Sequence, residues 1–155
     1  MTIIAAARNG KTASIGGDSG GFESDLAFVS SVSKIWRVGN ALLGACGNYR
    51  VIELGKRHNT ADPHKLRDLM AEDTHLPDEW GILIVTAKSI FEITEALDIF
   101  VVSAHYQATG SGTGPALGAL HAMRKSSPLE AVKAAGAAAL SHGTTVRPPF
   151  RVLNI

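Results

Sequence analysis

The chain has 155 residues, 45% hydrophobic and 19% charged, enough to fill the core of one domain spanning residues 1–155 and unlike a disordered or low-complexity sequence. Fifteen Lys and Arg against fourteen Asp and Glu give a formal charge of +1 with no basic stripe, which argues against a nucleic-acid partner. One cysteine, Cys46, permits no internal disulfide and points to a reducing compartment. With no basic leader and no apolar run of spanning length, the expectation is a soluble cytoplasmic protein with no membrane partner.

From Thr2 to Ala7 the chain is short and apolar, Asn9-Gly10 offers a hairpin turn, and Lys11 to Gly17 returns as a second strand. Asp18-Ser19-Gly20-Gly21 breaks that strand into a loop that runs on to a short strand at Leu26 to Val29. Lys34 to Val38 and Ala41 to Cys46 form a hairpin around Gly39-Asn40, and Tyr49 to His58 has helical spacing. Asp62-Pro63 starts a second helix with Leu66, Leu69 and Met70 on its apolar stripe.

Strands resume at Trp80 to Ala87, Ser89 to Thr94, Ile99 to Val102 and Tyr106 to Thr109. After a glycine-rich turn at Gly110 to Gly114, helices run from Pro115 to Met123 and from Pro128 to Leu140, the latter capped by Ser127, and Phe150 to Ile155 closes as a strand. Strands, two helices, strands, two helices and a strand, without βαβ alternation, describe an α+β protein in which two helical layers cover two stacked antiparallel sheets.

Several motifs are decoys. Gly17-Asp18-Ser19-Gly20-Gly21 spells the nucleophile signature of chymotrypsin-type proteases, yet their histidine precedes the serine and the first histidine here is His58. Ser31-Val32-Ser33-Lys34 fits the Ser-x-x-Lys pattern of penicillin-binding proteins, but the companion Ser-Asp-Asn and Lys-Thr-Gly signatures are missing. Gly110-Ser111-Gly112-Thr113-Gly114 lacks the Gly-Lys-Ser/Thr end of a nucleotide loop and reads as a strand-to-helix turn. The six histidines are scattered, with no i, i+4 zinc pair, so no metal or cofactor is implied.

Thr2 remains, and it becomes the first residue once Met1 is removed. A hydroxyl is a weak nucleophile until a base takes its proton, and an α-amine with a pKa near ~8 suits that task near neutral pH. A nearby ammonium would keep that amine neutral, and a buried carboxylate would keep the ammonium charged and oriented. Lys34 and Asp18 are the candidates.

Asp18 lies 16 residues and Lys34 lies 32 residues after Thr2. In these offsets, and in Thr-Ile-Ile-Ala-Ala-Ala-Arg-Asn-Gly, Gly-Gly-Asp-Ser, Ser-Val-Ser-Lys-Ile and Leu-Leu-Gly-Ala-Cys-Gly-Asn, the chain resembles the proteasome β-subunit family, including HslV, within the N-terminal nucleophile hydrolases. The resemblance implies a four-layer αββα sandwich and peptide hydrolysis through an acyl ester on Thr2. It also implies an oxyanion donor at the Gly47 backbone, or one residue on at Asn48, and support of the terminal amine by Ser111. Between His142 and Pro149 there is no Asp of the kind that many family members place beside that serine.

The expected function is therefore a threonine-type endopeptidase acting on unfolded polypeptides inside a ring-shaped homo-oligomer. It would be served by a separate ATPase, since the chain has no nucleotide loop. An inactive shell or scaffold subunit and a small-amide amidase are the alternatives. Gly20 and Gly21 stand where some relatives carry longer side chains, which suggests an open entrance.

Overall fold

The computed structural model describes residues 2–23, 26–29, 33–142 and 145–155. It comprises β1 (Ile3–Arg8), β2 (Ala13–Gly17), β3 (Gly20–Glu23), β4 (Leu26–Val29), β5 (Ile35–Val38), β6 (Ala41–Cys46), α1 (Tyr49–His58), α2 (Pro63–Ala71), β7 (Gly81–Val85), β8 (Ile90–Thr94), β9 (Ile99–Val101), β10 (Tyr106–Gly110), α3 (Thr113–Ala122), α4 (Pro128–His142) and β11 (Arg151–Asn154).

Two antiparallel sheets lie between two helical layers. One has the order β10-β1-β2-β11 and the other β5-β6-β7-β8-β9, while β3 and β4 form a separate hairpin. Alternate residues explain why the central strands read as continuous apolar runs. Ile3, Ala5 and Ala7 of β1 pack with Ala116, Leu120, Val132 and Ala135 of α3 and α4. Ile4 and Ala6, on the opposite face, meet Leu42, Leu83 and Val85 of the other sheet. Leu43, Ile82 and Ile84 turn outward against Val51, Ile52, Leu66 and Met70 of α1 and α2. Each central strand is buried on both faces, so no polar face remains to show a period of two.

The helix starts follow local chemistry. Asn48 caps α1 by accepting from Arg50 N at 2.9 Å, and Asp62 caps α2 by accepting from the N–H groups of His64 and Lys65. Before α4, Glu130 N donates to Ser127 Oγ, while Glu130 Oε2 accepts from Ser127 N and Oγ. Those bonds hold the exposed Glu130 carboxyl below its ordinary range. One expectation is corrected: Gly20-Gly21 does not continue a loop but opens β3, which pairs in register with β4 from Gly20↔Val29 to Glu23↔Leu26. Glycine carries no strand signal, so only the partner strand reveals this extended conformation. Among the described residues no helix is long and apolar enough to cross a membrane.

The Phe150 ring, just before β11, occupies a slot between Gly16 of β2 and Gly136 of α4, where a Cβ on either glycine would overlap it. Gly→Ala inside a helix ordinarily stabilises by about 1 kcal/mol. Gly136→Ala is expected to destabilise instead, by roughly 1–3 kcal/mol, because the ring must be displaced. In a Phe150→Ala background the same substitution should turn stabilising. Urea unfolding of the four proteins checks this, and an unchanged sign would contradict the packing.

Candidate active site

The first two strands bring Thr2 and Asp18 together. Ile4 of β1 pairs with Gly17 of β2, so the residue before β1 and the residue after β2 end side by side. Asp18 is 2% exposed, and its carboxylate is fixed by backbone donors: Ile3 N at 3.1 Å on Oδ1, Gly20 N at 3.0 Å and Arg147 N at 3.2 Å on Oδ2. Gly20 is buried, and a Cβ there would fall 2.8 Å from Asp18 Oδ2 and 3.0 Å from Arg147 Cβ. Its missing side chain makes room for the carboxylate and does not widen an entrance, contrary to the open approach expected at this position.

Lys34, which precedes β5, is 3% exposed and points back into the same place. Its Nζ donates to Asp18 Oδ1 at 2.9 Å, to Gly20 O at 2.5 Å and to Thr2 Oγ1. Three acceptors saturate an ammonium. A neutral amine would keep the first two contacts and turn its lone pair to the Thr2 hydroxyl, so a proton can cross between Oγ1 and Nζ without displacing heavy atoms. Burial pushes the Lys34 pKa below the ordinary 10.5, and Asp18 pulls it partly back.

Ser111 follows β10 and reaches Thr2 from the other side. Thr2 N donates to Ser111 Oγ at 3.2 Å, and Ser111 Oγ lies 3.3 Å from Thr2 O and 2.8 Å from Thr145 Oγ1. Sequence reasoning missed Thr145: with no Asp in that loop, nothing in the residue types marked a hydroxyl as the partner of Ser111. Gly110 has φ +106, and a Cβ on it would overlap the Thr2 carbonyl, so glycine permits both the turn and the approach.

A cleft of about 330 Å³ opens beside Thr2, with Cys46, Gly47, Trp80, Gly110 and Ser111 in its wall and Glu79 and Glu95 as its carboxylates. Gly47, at φ +103, lines this cleft, and a Cβ there would come 2.8 Å from Glu79 O. Asn48, the alternative, caps α1 through its side-chain oxygen, a bond that does not use its backbone N–H. Burial raises the Cys46 thiol pKa, and its Sγ lies 3.8 Å from Thr109 Oγ1. Glu79 and Glu95 sit on connections between elements, where neither periodicity nor motif singled them out.

Thr2, Asp18, Lys34 and Ser111 thus converge, and Gly47 shares the cleft with Thr2 and Ser111. Met1, Ser31 and Val32 of the Ser-x-x-Lys pattern, and Gly143 and Thr144 of the 142–149 loop lie outside the described residues. Among the described residues no cluster of three His, Cys, Asp or Glu side chains could hold a metal ion.

Comparison with solved structures follows the same outline. Thiobacillus denitrificans BPH in complex with epoxomicin superposes with a TM-score of 0.83 at 16% identity, covering 99% of this chain and 98% of that one. Eukaryotic HslV from Trypanosoma brucei gives 0.81 at 19% identity, covering 99% and 98%. The fold is that of HslV. A second structure of Thiobacillus denitrificans BPH gives 0.81 at 17% identity over 99% and 97% of the chains. No protein-family model and no curated protein matches the sequence. The HslV-type sandwich places the two sheets and four helices as expected from the sequence, including the four-layer αββα order.

The buried pair Lys34–Asp18, with side-chain exposures of 2% and 0%, carries two predictions. Asp18→Ala strands a buried cation and should cost about 3–5 kcal/mol, much of it recovered in Asp18→Ala/Lys34→Met. Chemical denaturation checks the pair, and simple additivity would contradict it.

The pH dependence has a definite sign. Because the folded state holds the Lys34 proton less tightly than the unfolded chain, stability gained from this group rises with pH in the alkaline range below 10.5. Cys46 acts oppositely, since the folded state keeps its thiol protonated above the ordinary 9.0. Wild type should therefore gain stability relative to Lys34→Met as alkaline pH rises, with Cys46 common to both. Guanidinium melts at several pH values read this difference, and a flat or falling difference would contradict it.

Proposed function

We propose that this chain is a threonine-type endopeptidase of the N-terminal nucleophile class, acting on unfolded polypeptides from Thr2 once Met1 is removed. The observation that carries the reading is the hydrogen-bonded line from Thr2 Oγ1 through Lys34 Nζ to Asp18 Oδ1, buried beside an open cleft. The HslV-type fold and the epoxomicin complex of a structural neighbour support it.

In this mechanism Thr2 Oγ1 attacks the scissile carbonyl. Its proton leaves for the freed α-amine, directly or by way of Lys34 Nζ. Asp18 orients Lys34, and Ser111, backed by Thr145, orients the amine. The Gly47 backbone N–H donates to the oxyanion, a contribution typically of about 10²–10³ in rate. Collapse expels the leaving amine with the proton returned to it, and water then hydrolyses the ester to regenerate Thr2.

The catalytic chain would work in a ring-shaped homo-oligomer in the cytoplasm, with a separate ATPase delivering substrate. Association of copies has a surface to draw on: β9, an outer strand of its sheet, exposes Phe100 at 52% and Val101 at 71%.

Thr2→Ala should abolish cleavage of an unfolded protein substrate, by at least about 10³-fold, while leaving the fold and assembly intact. Turnover of a fluorescent, reduced casein measures this. Undiminished turnover in Thr2→Ala would remove the mechanism, and an inert wild type that retains Met1 would favour a scaffold.

A further inference from the structure

A second cavity lies at the other end of β1, about 20 Å along the strand from Thr2 at six residues of extended chain. It encloses about 160 Å³, some five water volumes, between the end of β1, the start of β10 and the connection from α3 to α4. Its floor is apolar, with Ala7, Leu120 and Met123, and its rim carries Arg8, His105 and Arg124. No Asp or Glu lines it.

The two guanidinium groups have little to hold. Arg8 Nε is buried with no hydrogen-bond partner, although the Arg8 backbone N donates to His105 O at 2.8 Å. Arg124 commits Nη1 to the His121 carbonyl at 3.0 Å. Neither arginine has a salt bridge among the described residues. Glu130, at the start of the neighbouring α4, is turned to Ser127. A buried donor without an acceptor costs stability unless a ligand supplies one, and the planar fork of arginine matches a carboxylate.

We propose that this cavity binds a small carboxylate with an apolar body, its oxygens on Arg8 and Arg124 and its hydrocarbon on the floor. A compact hydrophilic anion satisfies the rim but leaves the floor unfilled. The site is independent of the chemistry at Thr2.

The test uses the full chain with isovalerate and inorganic phosphate as probes, followed by thermal melting and titration calorimetry. Isovalerate should bind saturably with a dissociation constant on the order of 1 mM, and phosphate roughly tenfold more weakly or worse. Arg8→Met keeps the stem and removes the orphaned donor, so it should raise the melting temperature of the free protein by roughly 2–4 °C while weakening isovalerate by at least roughly tenfold. Arg124→Gln, on the exposed rim, should weaken isovalerate without changing the melting temperature. No saturable binding to wild type, phosphate binding as tight as isovalerate, affinity unchanged in both variants, or a lower melting temperature in Arg8→Met would each overturn the proposal.

Discussion

The site is organised around one buried ion pair. Lys34 and Asp18 leave water together, and each charge is tolerable only because its lone pairs or protons are filled: three backbone N–H groups on the carboxylate, a carbonyl and a hydroxyl on the amine. Those backbone donors come from β1, from the first residue of β3 and from the segment before β11. The pair can therefore form only when distant parts of the chain have assembled, and the Thr2 hydroxyl is positioned as a by-product of satisfying it. Burial favours the neutral amine and Asp18 favours the ammonium, so the proton affinity of Lys34 is set by two opposing influences, of which burial is the larger.

Glycine accounts for much of the close geometry around this pair. Gly110 lets the end of β10 touch the Thr2 carbonyl, Gly47 lets the turn after β6 line the cleft, and Gly20 leaves space for the Asp18 carboxylate. At Gly110 and Gly47 a methyl group would run into backbone, and at Gly20 into the fixed Asp18 carboxylate and the Arg147 side chain, so the glycines and the polar groups form one constraint.

Much of this was legible in the sequence because the cues were local. Asp62-Pro63 and Ser127-Pro128-Leu129-Glu130 marked helix starts through caps that the structure contains, and Asn9-Gly10 and Gly39-Asn40 marked hairpins. The 16- and 32-residue offsets from Thr2 pointed to residues that do meet. What escaped depends on long-range approach: β3, whose glycines look like loop until β4 pairs with them; Thr145, a hydroxyl beside Ser111; and Glu79 and Glu95, which reach the cleft from separate connections. The Arg8 and Arg124 cavity escaped for the same reason, since it exists only where β1 and the α3–α4 connection converge.

The central claim is that Thr2, with a free amine, is the nucleophile. Intact-mass spectrometry of the purified chain before and after incubation with epoxomicin, followed by peptide mapping, addresses it most directly. The account predicts a chain lacking Met1 that gains the mass of one inhibitor molecule on Thr2. A chain lacking Met1 that gains no mass, or gains it at another residue such as Cys46, would contradict it.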